Sequence, residues 1–247
     1  MNTESTKVED LRSSAAKARE KTDSTLSFAK TVRARRAVRQ LLTTPLDEET
    51  LRAVLEEAQY APSNCNTQIW NVHVVSGETL KKLSANMLKA HYAGDESTDF
   101  SFSIPDFPGR YGERTKEQGK HYYESLGVKR EDKDGRAAAV AKNYRFFDAP
   151  HVAFLFMPTV GDNVRAAWDL GLYGQTLMLS LASRGIGSIP LTSTASYNNV
   201  IRDTLGIPET LKFLHAIAFG YADPNAPSNK AERLGRDPIE KSVTFHS

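Results

Sequence analysis

Cysteine is almost absent from this chain of 247 residues, in which Cys65 is the only one. An intramolecular disulfide is therefore impossible, and a zinc site built from several cysteines is excluded. The six histidines have no H-x-x-x-H spacing of the kind that places two metal ligands on one helix face. No apolar run approaches the roughly 18 residues that would span a bilayer, and residues 1–30 lack the apolar segment of a signal peptide. These absences predict a cytoplasmic protein with no metal site and no membrane anchor.

Net charge is also nearly absent. Lys and Arg number 32 and Asp and Glu 30, which leaves a formal charge of +2 and does not indicate a nucleic-acid partner. Any basic patch must be local, and four arginines at positions 33, 35, 36 and 39 form one. Such a cluster is either a solvated surface or an anion site, since planar guanidinium groups donate paired hydrogen bonds to phosphate.

Signatures of nucleophilic or nucleotide chemistry are missing as well. Ser63 lies in no G-x-S-x-G elbow, and Cys65 has no C-x-x-C partner. There is no P-loop, and the glycines within 171–187 fall short of a dinucleotide-binding fingerprint. Asp169, inside an apolar helical pattern, is interpreted as a buried hydrogen-bonding group rather than a catalytic one. An ordinary acid–base or covalent active site is therefore not indicated.

Hydrophobic periodicity predicts helices interspersed with strands, an α/β or α+β domain. The predicted helices cover 47–58, 77–91, 163–184 and 197–205. The predicted strands cover 70–75, 151–157, 187–191 and 213–219. The helix over 163–184 is apolar on nearly every side, which predicts that it is buried, with a subunit interface as one place to bury it.

Three segments differ from this pattern. Residues 1–28 are polar and form a predicted N-terminal extension, which leaves 29–247 as the folded domain. Residues 93–136 are rich in aromatics and charges and form a predicted insertion, either a solvated surface excursion or a lid over a binding site. Residues 223–247 form a predicted C-terminal arm.

The turn over 61–70, with the sequence APSNCNTQIW, is the densest cluster of short polar side chains. Pro, Ser and Asn favour a turn that exposes backbone amides. Together with the upstream arginines, this turn favours the binding of a planar cofactor that carries a phosphate.

Four segments in order resemble the FMN-dependent nitroreductase family, in particular its nitroaromatic and nitrobenzoate reductases. Residues 35–39 are similar to the family's R-R-S-x-R motif, and residues 61–70 to A-P-S-x-x-N-x-Q-P-W. Residues 169–188 resemble the family's central helix and its exit, and residues 220–238 its closing segment. Two positions depart from the motifs, since Ala37 replaces Ser and Ile69 replaces Pro.

The resemblance implies an α+β fold of three α/β/α layers, with a mostly antiparallel central sheet and a long central helix at a homodimer interface. It implies an enzyme that binds FMN, takes hydride from NADPH or NADH, and reduces a small nitroaromatic substrate in a ping-pong cycle. It implies no catalytic side chain, because flavin N5 carries the chemistry.

The same resemblance assigns two groups of site residues. The implied cofactor-binding residues are Arg35, Arg36, Ala37, Arg39, Pro62, Ser63, Asn64, Asn66, Pro190, Leu191, Thr192, Ser193, Arg233 and Arg236. The implied substrate-lid residues are Phe107, Tyr111, Tyr122 and Tyr123. Other functions stay open: a flavoenzyme of the same fold that acts on another acceptor (reductive dehalogenation, enone reduction or flavin breakdown), a flavin-binding protein without turnover, or a nucleic-acid binder.

Overall fold

The structure, a computed structural model, describes residues 26–247. The predicted extension over 1–28 lies almost entirely outside the described residues. A single four-stranded sheet has the strand order β1-β2-β4-β3, and each of its three strand pairs is antiparallel. The strands are β1 (Asn71–Ser76), β2 (His151–Pro158), β3 (Gly187–Leu191) and β4 (Leu211–Gly220). The prediction of a mostly antiparallel central sheet is confirmed.

Eight α-helices surround the sheet in the part of the chain that is described. They are α1 (Phe28–Ala34), α2 (Glu48–Ala58), α3 (Gly77–Ala93), α4 (Arg110–Ser125), α5 (Lys133–Tyr144), α6 (Val164–Ser183), α7 (Asn198–Leu205) and α8 (Pro227–Lys230). Asp47 accepts a hydrogen bond from the amide of Thr50 and so caps the start of α2, as the sequence pattern predicts. The α+β prediction is confirmed, and the predicted insertion over 93–136 contains α4 and the beginning of α5.

Strand β2 divides the core into two halves. Its residues from His151 to Met157 are all buried. Because side chains alternate along a strand, even-numbered residues of β2 from 152 join a core with α3, α5 and α7, and odd-numbered ones from 153 join a core with α2 and α6. The sheet is therefore covered on both faces, which explains why β2 has a continuous apolar run rather than an alternating one.

Helix α6 is less completely buried than its composition predicts. Its inner side packs on the sheet, but a stripe at helical spacing stays exposed in a single chain. Val164 is 65% exposed and Trp168 is 62% exposed, and Gly171 and Gln175 continue the same stripe. Within residues 26–247, no helix is both long enough and apolar enough to cross a membrane.

A left-handed turn after α5 supports the segment that carries the arginines. Phe146, Phe147 and Asp148 have φ angles of 52°, 54° and 60°, values that non-glycine residues rarely adopt. Both phenylalanines are at most 2% exposed, so their burial offsets the backbone strain. The turn accepts two hydrogen bonds, from the Leu41 amide to the Phe147 carbonyl and from the Gln40 side chain to the Asp148 carboxylate. It therefore fixes the chain directly after Arg39.

His215 makes the stability of this fold depend on pH. The residue lies on β4 with its ring close to α6, since a Cβ built on Gly174 would come within 3.2 Å of its Nε2. Burial lowers the pKa of His215 from 6.5 to about 4. As the pH falls, His215 is therefore protonated near pH 6.5 in the unfolded chain but only near pH 4 in the folded chain. We expect this difference to leave the free energy of unfolding unchanged above pH 6.5 and to lower it by about 3 kcal/mol by pH 4.

Chemical unfolding at several pH values checks this prediction. Replacing His215 with glutamine is expected to flatten the loss of stability between pH 6.5 and 4 relative to the unsubstituted protein. The matched control is His246→Gln, at an exposed residue near the C-terminus, which is expected to leave the slope unchanged. An H215Q protein with an unchanged acid slope would show that this histidine is protonated equally easily in both states.

Candidate active site

A cavity of about 790 Å³ lies where the arginine segment, helix α4 and the C-terminal arm meet. Its walls come from five parts of the chain that are distant in sequence. The lining residues fall in 32–39, in 118–125 of α4, at Gln175, at Pro190, and in 228–236 of the arm. This is the place in the fold where most of the basic side chains singled out in the sequence converge.

Backbone contacts with β3 hold the arginine segment in place. The Val38 amide donates to the Ser188 carbonyl at 3.0 Å, and Ala37 forms an isolated β-bridge with Ser188. Gly187 is required for this approach, because a Cβ there would lie 2.9 Å from a methyl carbon of Val38. The segment therefore runs along the free edge of β3, and the side chains at 35, 36 and 39 reach the cavity.

Asn229 ties the C-terminal arm to the arginine segment. Its Oδ1 accepts from the backbone amide of Arg39 at 3.1 Å, and its Nδ2 donates to the carbonyls of Gln40 and Asp223 at 2.7 and 2.9 Å. Arginine side chains add further ties, since Arg36 donates to two arm carbonyls and Arg233 donates back to the end of α1. These bonds hold the arm over the arginine segment.

The cavity concentrates positive charge, and Glu232 is the only acidic residue among its lining residues. Six arginines line it, namely Arg33, Arg35, Arg36, Arg39, Arg233 and Arg236. None of them forms an ion pair with a carboxylate within residues 26–247. Burial and the charges of Arg236 and Arg233 lower the pKa of Arg35. Arginine nevertheless stays protonated, so the cavity is built to receive an anion.

The Asn-rich turn lies at a different place, against α6. The Asn64 amide donates to both carboxylate oxygens of Asp169 at 3.1 Å, and the Gln68 amide donates to Ser63 Oγ at 3.0 Å. Asp169 is 2% exposed, so it has the buried hydrogen-bonding role that the sequence favours over catalysis. Cys65, with φ of 51°, is one of three left-handed residues in the turn, and such strain is common at ligand sites.

The structure brings half of the expected cofactor-binding residues together. Seven of the fourteen line the cavity: Arg35, Arg36, Ala37, Arg39, Pro190, Arg233 and Arg236. The other seven do not: Pro62, Ser63, Asn64, Asn66, Leu191, Thr192 and Ser193. The Leu191 side chain is 2% exposed and packs in the core, so this residue can offer a ligand little beyond its backbone.

Only one of the four expected lid residues lines the cavity, and this is Tyr122. The ring centroid of Tyr123 lies 4.0 Å from the guanidinium of Arg136. Phe107 and Tyr111 lie near the start of α4 and are 43% and 52% exposed. The expected lid residues thus lie partly in the cavity wall and partly on an exposed aromatic surface.

Helix α4 is fastened to the arm. Arg114 makes a bidentate contact with the Asp237 carboxylate at 3.1 and 2.7 Å, and Arg110 donates to the Lys241 carbonyl at 3.1 Å. Asp237 directly follows Arg236, a lining residue of the cavity. The position of the α4 wall is therefore linked to the position of the arm's arginines.

Sequence reasoning missed the polar face of α4 and the role of Asn229. Gln118, His121 and Ser125 line the cavity with Tyr122, at the i, i+3, i+4 and i+7 spacing of one helix face. That spacing was visible in the sequence, but nothing local indicates that this face meets the arginine segment. Within 26–247 no group of three or more His, Cys, Asp or Glu residues could hold a metal ion.

Comparisons with known proteins show what the chain is similar to. The sequence model of the Nitroreductase family matches residues 32–221. The nitroreductase NfnB of Mycolicibacterium smegmatis is 39% identical over 87% of this chain and 90% of its own length. A 4-nitrobenzoate reductase of Pseudomonas putida is 38% identical over 88% of this chain and 95% of its own. The crystal structure of the FMN-dependent nitroreductase NfnB from Mycobacterium smegmatis with NADPH superposes with a TM-score of 0.84, covering 89% of this chain and 97% of that one.

Proposed function

Because this chain belongs to the Nitroreductase family, we propose that it is an FMN-dependent oxidoreductase that uses NADPH or NADH to reduce nitroaromatic compounds. The observation that carries the proposal is the cavity lined by six arginines without ion-pair partners in the described chain. Relatives near 40% identity include a nitroreductase and a 4-nitrobenzoate reductase, and a solved NfnB structure contains NADPH. The expected substrate is a small nitroaromatic ring.

The residues of the cavity fit FMN. A phosphate dianion would balance part of the charge of Arg35, Arg36, Arg233 and Arg236, which otherwise repel one another in a partly buried space. Ala37 lacks the hydroxyl of the family motif, but its backbone amide stays available there. We assign the phosphate and the ribityl chain to these arginines and to Arg39.

When bound, FMN supplies the hydride chemistry. The chain's own residues bind and orient the ligands and exclude water. Pro190 lines the cavity directly, and we expect Thr192 and Ser193, which follow it, to face the flavin ring. Helix α4 forms one wall, and the Arg114–Asp237 contact keeps that wall against the arm. Phe107, Tyr111 and Tyr123 are proposed as the substrate-facing part of the lid.

We extend the proposal to a homodimer. The turn that contains Pro62, Ser63, Asn64 and Asn66 does not line the arginine cavity of its own chain. A second copy packed on the exposed stripe of α6, where Trp168 is 62% exposed, would cover that stripe and could bring its own turn to this cavity.

The proposal includes the domain bounds expected from the sequence and a cytoplasmic location, where NADPH and NADH are available.

An anaerobic reduction cycle tests the proposed function. The FMN-loaded protein is expected to lose its flavin absorbance on addition of NADPH or NADH and to regain it on addition of a nitroarene, with matching loss of the nitro compound. Reduction by nucleotide without reoxidation by nitroarenes would favour a different acceptor. A protein that takes up no FMN would overturn the proposal. Sedimentation analysis of the loaded protein tests the homodimer.

A further inference from the structure

The Arg39 guanidinium has one described contact, and it is an aromatic ring. Its Cζ lies 5.0 Å from the ring centroid of Tyr122, within the range of a cation–π interaction. The Arg39 amide is fixed by Asn229, but its guanidinium makes no hydrogen bond or ion pair with residues 26–247. A half-buried cation thus rests on the ring of a helix α4 residue at the cavity wall.

The Tyr122 hydroxyl is buried and has no hydrogen-bond partner among the described residues. Buried hydroxyl groups are almost always paired, so an unpaired one requires an explanation. Tyr144 provides a contrast within the same fold, because its hydroxyl shares a hydrogen bond with Tyr197. Burial raises the pKa of Tyr122, so its hydroxyl keeps the proton that it could donate.

The surroundings of Tyr122 indicate what it could bind. Gln118, His121 and Ser125 stand beside it on the same polar helix face, and the arginine segment lies opposite. A ligand that enters between these walls would meet the Arg39 cation directly, and it would reach the unused Tyr122 donor once the groups that bury this hydroxyl move aside. This pair of groups matches a planar ring that carries an exocyclic acceptor oxygen, which both a flavin and a nitroarene possess.

We propose that Tyr122 is a positioning residue that holds the Arg39 guanidinium on its ring, and that its unpaired hydroxyl donates a hydrogen bond to an exocyclic oxygen of the planar ligand in the cavity. The inference rests on the proposed function, since that function supplies the two candidate ligands. It assigns the ring and the hydroxyl of one side chain to separate tasks, which two substitutions can separate.

Tyr122→Phe keeps the ring and removes the hydroxyl. We expect FMN affinity of the cofactor-free protein, or else the KM for a nitroarene, to worsen about five- to tenfold, the effect of one hydrogen bond, with kcat nearly unchanged. The melting temperature of the cofactor-free protein is expected to stay equal or rise, because an unpaired buried hydroxyl is lost. Tyr144→Phe is the matched control: it removes a paired hydroxyl and is expected to lower the melting temperature and leave FMN affinity unchanged.

Tyr122→Leu removes the ring as well. Because Arg39, assigned above to the phosphate and the ribityl chain, would lose its support, we expect the preference for FMN over riboflavin to fall about threefold or more. Tyr122→Phe is expected to preserve this preference, because the hydrogen bond that it removes is common to both flavins. An equal preference in the two variants would overturn the positioning role.

The affinity for FMN and the KM for a nitroarene together identify the acceptor and decide the role of the hydroxyl. A weaker FMN affinity in Y122F identifies the flavin as the acceptor, and a raised KM alone identifies the nitroarene. If the unsubstituted protein binds FMN and reduces nitroarenes but Y122F matches it in both constants, the hydroxyl's role is refuted and the proposed function stands. An unsubstituted protein with no affinity for FMN overturns both.

Discussion

Replacing Arg35 and Arg236 together with glutamine is expected to weaken FMN binding by about two to four orders of magnitude. Each charge-assisted hydrogen bond to a phosphate contributes about 1.5–3 kcal/mol, and each 1.4 kcal/mol corresponds to about a factor of ten. Stability is expected to change the other way. Burial and the charge of Arg236 both lower the pKa of Arg35, so the cofactor-free protein is relieved of a desolvation cost and a repulsion when both charges are removed. Titration of flavin fluorescence and thermal unfolding without FMN measure the two effects.

The control for this double variant carries the same change of charge at another place. Arg52 and Arg130 are exposed and do not line the cavity, so R52Q/R130Q is expected to retain FMN affinity within about twofold. Equal losses of affinity in both double variants would mean that FMN responds to net charge and not to the cavity. A loss of stability in the Arg35 and Arg236 variant would mean that these arginines serve the fold.

Replacing Asp99 with alanine is expected to lower the free energy of unfolding by about 3–5 kcal/mol. Asp99 and Arg202 form an ion pair in which each side chain is only 9% exposed. Asp99 also accepts a hydrogen bond from the Phe213 amide at 2.8 Å, which ties the start of the insertion to β4. The substitution leaves the Arg202 charge buried without a carboxylate and the Phe213 amide without its acceptor. Urea unfolding of the cofactor-free protein measures the loss.

Two further variants show whether burial causes this effect. Glu78→Ala breaks the Lys81–Glu78 pair, whose side chains are 75% and 88% exposed, and is expected to cost less than about 1 kcal/mol. The double variant D99L/R202M removes both buried charges and is expected to recover the part of the D99A loss that comes from the unpaired Arg202 charge, whereas the Phe213 amide stays without its acceptor. If D99A costs no more than E78A, the pair is solvated and the insertion is not held at this point.

The elements of the fold were predictable where their signal is local. Strand β3 covers Gly187–Leu191 as predicted, and β2 extends one residue beyond the predicted 151–157. Helix α6 begins and ends within a residue of the predicted 163–184. A glycine after the helix and a continuous apolar run are read directly from neighbouring residues, so long-range contacts are not needed to recognise them.

The assembly of the candidate site was less predictable because its contacts join distant residues. Arg39 and Tyr122 are 83 positions apart, and the Arg36 side chain donates to the Ser228 carbonyl 192 positions away. The family resemblance assigned Arg39 and Tyr122 to separate groups, cofactor and lid, and could not indicate that they touch. The left-handed turn over Phe146–Asp148 had little local signal, because two of its three residues are phenylalanines, which rarely adopt a positive φ.

The central claim is that the arginine-lined cavity recognises the phosphate of FMN. Parallel titrations of the cofactor-free protein with FMN and with riboflavin, which has the same ring and ribityl chain but no phosphate, test it most directly. The account predicts that FMN binds at least about a hundredfold more tightly, and that this preference shrinks as salt concentration rises. Equal affinities for the two flavins would contradict it.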